Sequence, residues 1–252
     1  MQPKPGLDET LELMRDLRLR CDWDAAQTHE SLRPYLIEEA YEVDDAIRAG
    51  DDRALREELG DLLLQVLFHS VVAEERGAFD LGDVAEGFLA KMKSRHPHLY
   101  GGGARQSWEG MKARKRASIV DGLPADLPAL HRAFRLQDRA AGVGFDWPDA
   151  EGPAAKVREE LGEVLDAAAH AAPPAGTGVP DPQVEEELGD LLFSAVNLCR
   201  KLGVHPSLAL DKANAKFAAR FQAVEGLARA RGLDVPTAGL AALDALWDEV
   251  KG

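Results

Sequence analysis

The chain has 252 residues, 45% of them hydrophobic and 29% charged, with 30 Lys and Arg against 44 Asp and Glu. That length accommodates one large or two small domains with a packed core, and the charged, aromatic-poor balance is that of a helix-rich globular chain rather than a disordered one. A net charge of −14 and a pI near 5.0 argue against duplex DNA or long RNA as a partner, since a phosphate polymer is repelled. A small anion carried with a metal ion stays compatible.

The opening residues, Met1-Gln2-Pro3-Lys4-Pro5-Gly6, lack the charged-then-apolar layout of a secretory signal, so a cytoplasmic location is expected. Cys21 and Cys199 are the two cysteines. They are too few for a disulfide framework and lack zinc spacing, and are read as reduced thiols. The longest apolar stretch, Leu62 to Ala73, is about 12 residues and is broken by Gln65, His69 and Ser70, whereas a membrane-spanning helix needs about 20.

In chain order, Ile37-Glu38-Glu39-Ala40-Tyr41-Glu42-Val43 reads as one helix; Gly50 stops it, and Asp51-Asp52 caps the next. That second helix carries Arg56-Glu57-Glu58-Leu59-Gly60-Asp61-Leu62-Leu63, with Leu59, Leu62, Leu63, Val66 and Leu67 at helical spacing. The pattern then recurs. Arg158-Glu159-Glu160-Leu161-Gly162-Glu163-Val164 is followed by Glu186-Glu187-Leu188-Gly189-Asp190-Leu191-Leu192. Asp22-Trp23 precedes the first copy as Asp146-Trp147 precedes the second, Lys91 and Arg95 follow the first as Lys216 and Arg220 follow the second, and Trp108 to Lys112 matches Trp247 to Lys251. The chain therefore reads as two related domains, 1–116 and 128–252, joined by a proline- and glycine-bearing linker at 117–127. The connection 172–182, rich in proline and glycine, is expected to be an exposed loop of the second domain. No run shows the period-2 alternation of a strand, so the expected fold is all-α, two tandem bundles of antiparallel helices.

Residues three apart on a helix share a face, so Glu39 with Glu42 and Glu58 with Asp61 project together, and antiparallel packing converges all four. Such a cluster demands raised pKa values or a bound cation, and oxygen-only ligands point to magnesium or manganese. Four chosen positions would all be acidic by chance roughly once in a thousand, and Glu160, Glu163, Glu187 and Asp190 recreate the set. Lys212, Lys216 and Arg220 at i, i+4, i+8 form a basic stripe suited to the distal phosphates of a nucleotide. His96-Pro97-His98 resembles a metal clip, but the proline makes a turn in which the imidazoles need not converge. A di-iron carboxylate bundle would need Glu-x-x-His, and none of the seven histidines has Glu three residues before it.

At these residues the chain closely resembles the MazG family of nucleoside triphosphate pyrophosphohydrolases in its two-domain form. The signature E-E-x-x-E followed by E-x-x-D is met by Glu38-Glu39, Glu42, Glu58 and Asp61, and again by Glu159-Glu160, Glu163, Glu187 and Asp190; Gly144 to Trp147 and Lys212 to Phe217 also match. The resemblance implies hydrolysis of a nucleoside triphosphate to the monophosphate and pyrophosphate, with magnesium, broad tolerance of the base, and a homodimer. The eight carboxylates would hold metal, and Glu160 or Glu163 would take the proton of the attacking water. Lys156, Lys216, Arg220, Asn214 and Trp247, with Lys91 and Arg95 in the first copy, are the substrate-binding candidates. Tyr35 stands where Lys156 does, Gly87 where Lys212 does and Leu89 where Asn214 does, so the second domain is expected to carry most of the activity. A dUTP- or dCTP-selective pyrophosphatase of the same all-α superfamily, or a non-catalytic nucleotide-binding scaffold, are the alternatives.

Overall fold

The computed structural model describes residues 5–102, 117–171 and 180–251. Its described residues form helices joined by turns, with no strand. Contacts cluster into two units, Met1–Arg105 and Gln106–Gly252. Segment 117–127 lies within the second of these. Residues 108–112 and most of the 172–182 connection fall outside the described residues. No helix among those described is long and apolar enough to cross a membrane.

The first unit runs α1 (Leu7–Arg20), α2 (Asp22–Ala26), α3 (His29–Ala49), α4 (Asp52–Glu75), α5 (Leu81–Arg95) and α6 (Pro97–Tyr100). Thr28 and Ser31 cap α3 reciprocally, each side chain accepting from the other's backbone N–H. Gly50 ends α3 at φ 67°, a left-handed conformation that glycine adopts without a Cβ penalty. The Asp51 carboxylate then accepts from the Arg53 and Ala54 N–H groups to start α4. This tight reversal makes α3 and α4 antiparallel neighbours. Met14, Leu32, Leu67, Phe68, Val71 and Val72 form the core where α1 lies across that pair.

Two arginines of α1 reinforce the crossing. Glu74 and Glu75 stand at the C-terminal end of α4, where negative charge opposes the helix dipole. Arg15 Nη2 lies 2.8 Å from Glu74 Oε1, and Arg18 Nε donates to Glu75 Oε1 at 2.8 Å. Arg18 also donates to the Ala25 and Gln27 carbonyls, holding the end of α2.

The second unit runs α7 (Ala129–Gly142), α8 (Glu151–His170), α9 (Pro182–Lys201), α10 (Pro206–Ala230) and α11 (Leu240–Lys251). Pro182 occupies the first turn of α9, where its missing N–H costs nothing, and Asp181 caps it. α8 and α9 form the most extensive helix pair of the unit, with α7 against α9. A separate apolar cluster of Val224, Ala228 and Leu246, flanked by Leu243, Trp247 and Val250, joins α10 to α11. Cys21 and Cys199 are free thiols.

Buried Arg139 of α7 donates to the Ile119 carbonyl at 2.7 Å and the Asp121 carbonyl at 3.0 Å, fixing the start of the 117–127 segment onto the unit. Replacing it with methionine strands those carbonyls. Arg139→Met is therefore expected to lower the unfolding free energy of the protein by about 2 kcal/mol and to speed amide exchange at 119–123, read from urea denaturation and hydrogen exchange.

Candidate active site

The antiparallel pairs bring the carboxylates together in both units. Glu39 of α3 and Glu58 and Asp61 of α4 each offer an oxygen within 4.8 Å of the other two, and Glu160 and Glu163 of α8 do the same with Glu187 of α9. Glu42 stands close enough to act electrostatically on both Glu39 and Glu58. Asp190 lies outside the three-residue cluster but lines the cleft beside it. Hard oxygen ligands from two facing helices suit a divalent cation such as magnesium.

The two clusters differ in how their charge is balanced. In the first, burial and then the neighbouring Asp61, Glu42 and Glu58 push the Glu39 carboxyl above its ordinary range, and burial with Glu42 and Asp61 does the same to Glu58. In the second, Lys156 reaches across one helical turn to Glu160 Oε1 at 2.6 Å and to Glu159 at 2.9 Å. Its hydrogen bond holds Glu160 below the usual carboxylate range. The neighbouring Glu163 carboxyl is pushed the other way, above its ordinary range, first by its closeness to Glu160 and then by burial. Glu160 is 4% exposed, and its Oε2 atom is buried without a protein partner.

Beside this cluster the second unit opens a cleft of about 570 Å³ whose lining includes Lys156, Glu160 and Asp190. Phe145, Trp147 and Phe193 supply aromatic walls, and Gln137, Ser194, Asn197 and Arg200 supply polar ones. The Asp146–Trp147 turn is anchored: Lys201 Nζ lies 3.2 Å from Asp146 Oδ2 and 2.5 Å from the Trp147 carbonyl, and Arg200 pairs with the same carboxylate. Burial alone would raise the Asp146 carboxyl, but these hydrogen bonds outweigh it and hold it low. A Cβ on Gly152 would sit 2.0 Å from Trp147 Cδ1, so glycine there is what lets the indole lie against α8.

Lys216, Asn214 and Arg220 on α10 and Trp247 on α11 are not among the residues that line the cleft. Trp247 instead packs at 5.4 Å on Phe217 and on the Val224 cluster. Lys91 and Arg95 sit on α5, whose residues 82–91 are exposed, as are residues 212–219 of α10. Tyr35, at the place of Lys156, meets Trp23 edge-on at 6.3 Å. His96 turns its Nδ1 onto the Met92 carbonyl at 2.8 Å, and its ring is 5.8 Å from that of His98. Motif reading had no claim on Gln137, Asn197 or Arg200. Extending the repeat alignment past Leu-Gly-Asp-Leu-Leu would have flagged two of them: Asn197 and Arg200 fall where Phe68 and Val71 stand in the first copy.

These features define a duplicated carboxylate-bearing helix-pair protein with an adjoining ligand cleft. A family model described as the MazG nucleotide pyrophosphohydrolase domain matches residues 27–100 and again 151–224. The chain belongs to the MazG family and is a hydrolase. A Thermotoga maritima protein named nucleoside triphosphate pyrophosphohydrolase/pyrophosphatase MazG is 44% identical, covering 97% of this chain and 95% of its own length. The Escherichia coli K12 nucleoside triphosphate pyrophosphohydrolase is 41% identical over 96% of this chain and 94% of its own. The Mycolicibacterium smegmatis protein of the same name is 40% identical over 57% of this chain and 49% of its own.

Because the Glu58 pKa is raised on folding, its carboxyl favours the fold below its ordinary value of 4.5, and that contribution is lost as pH rises through the raised value. In metal-free protein, Glu58→Gln should therefore melt above the parent at neutral pH, with the gap closing as pH falls toward 4.5. A thermal melt series in chelator from pH 4 to 8 checks the sign.

Proposed function

We propose that the chain hydrolyses nucleoside triphosphates and their deoxy counterparts to monophosphate and pyrophosphate, with magnesium, broad tolerance of the base, and most turnover in the second unit. The carboxylate cluster of Glu160, Glu163 and Glu187, set beside a cleft that Lys156 also lines, carries this reading. Magnesium bound there, or manganese in its place, would neutralise phosphate charge and acidify a water. Glu160, kept ionised by Lys156, suits a ligand. Glu163, whose carboxyl is pushed up, suits the group that takes the proton from the water. The water oxygen bonds to phosphorus at the α–β anhydride, and the bond to the leaving phosphate oxygen breaks. The first unit keeps its carboxylates but has Tyr35 in place of the lysine, which supports a weaker or different site there.

The cationic rows of α5 and α10 remain candidates for the triphosphate, with Lys216, Arg220 and Asn214 in the second unit and Lys91 and Arg95 in the first. We place the protein in the cytoplasm as a guardian of the nucleotide pool, acting as a homodimer. Large apolar side chains on the carboxylate-bearing helices are exposed in the single chain, among them Tyr41, Leu59, Leu165 and Leu192, and such patches mark association surfaces.

Purified protein given magnesium and a panel of triphosphates should release monophosphate and pyrophosphate from several bases. Diphosphate with free phosphate, or no turnover, would overturn the reading. Glu187→Ala should cost at least about a hundredfold in kcat, in line with removal of a charge-stabilising group, and Glu58→Ala far less; equal losses would refute the asymmetry. Light scattering should return twice the chain mass of 27.3 kDa, and Leu165→Glu with Leu192→Glu should return the single mass.

A further inference from the structure

Gln137 is a polar side chain only 6% exposed, on the wall of the second unit's cleft. Its Nε2 donates to the Phe193 carbonyl at 2.8 Å. That carbonyl can only accept, so the amide is locked with its nitrogen toward α9. The opposite atom, Oε1, is buried with no protein partner. A buried acceptor without a donor costs free energy that a native site recovers from a ligand or an ordered water. Leu136, Phe145, Trp147 and Phe193 line the same cleft and offer flat apolar walls to a ring. At the equivalent of Asn197 the first unit has the buried Phe68, whose ring lies 6.4 Å from that of Trp23.

We infer that this cleft contains a base subsite in which Gln137 Oε1 accepts a hydrogen bond from an N–H on the pairing edge of the nucleobase. The inference rests on the nucleotide reading above and deepens it. Adenine and cytosine present an exocyclic amine on that edge, guanine and uracil or thymine a ring N–H. One fixed acceptor therefore serves all of them, which gives a pocket broad tolerance without indifference to the base.

The probes are AMP and purine riboside 5′-monophosphate, which differ only in the amine, since the latter has no N–H on that edge. Calorimetry needs no turnover to compare them. The parent protein should bind AMP about tenfold more tightly, and Gln137→Met should erase the difference. Inhibition by tripolyphosphate, which has no base, should be unchanged by the substitution. Equal binding of the two monophosphates by the parent overturns the subsite, whether or not Gln137→Met folds. A preference that survives in Gln137→Met also overturns it, because recognition then lies elsewhere. Preferential AMP binding by a protein that releases no pyrophosphate would leave the subsite standing and refute the hydrolase reading.

Discussion

The structure is organised around a mutual repulsion. Each unit holds several carboxylates on two antiparallel helices, close enough for one cation to touch three of them, and like charges at that range oppose the packing that brings them together. Apolar packing elsewhere along each pair, and ties beyond it, must therefore offset that repulsion. In the first unit the Gly50 reversal closes one end of the pair, and the arginines of α1, locked onto Glu74 and Glu75, fasten α1 to the other end of α4. They also neutralise acidic residues that would otherwise sit against the negative end of α4. In the second unit part of the compensation is local, since Lys156 lies within the cluster itself.

That difference propagates. With Tyr35 where the second cluster has Lys156, the first cluster has its Glu39 and Glu58 carboxyls both raised. The second splits a pair instead, Glu160 down and Glu163 up, and two groups pushed apart in this way are suited to different tasks. The flanking residues diverged in step. Phe68 and Val71 fill the first core, while Asn197 and Arg200 at the matching positions leave the second unit open and polar. Arg200 bridges α9 to Asp146 and grips Asn197 Oδ1 at 2.8 Å, so the wall of the cleft and the loop over it are set by one side chain.

The helix pairs, their capping at Gly50 and Asp51, and the convergence of Glu39 with Glu58 and Asp61 were legible in the sequence because each depends on residues close in the chain or on a period of three to four. The repeat made the second set legible as well. The cleft was not. Gln137 reaches Phe193 across 56 positions, and nothing local marks a glutamine on α7 as buried. The basic stripe of α10 was visible as spacing, but spacing gives a face and not its destination, and Trp247 could equally be read as a stacking platform or as packing. Phe217 beside it supplies the packing partner that a motif does not include.

Glu160 ties these features together. One oxygen is held by Lys156, the other is buried without a partner, and the residue borders both the cluster and the cleft. A cation that takes this carboxylate competes directly with the lysine for it. On the proposed reading, a divalent cation held by Glu160 would take up charge that Lys156 now balances, leaving the ammonium available to an incoming phosphate. In the first unit Tyr35 has no charge to transfer, and its cluster could gain a cation without also gaining a phosphate contact. On that reading, an asymmetry between the copies would come down to whether a bound metal frees a positive charge at the place where a triphosphate needs one.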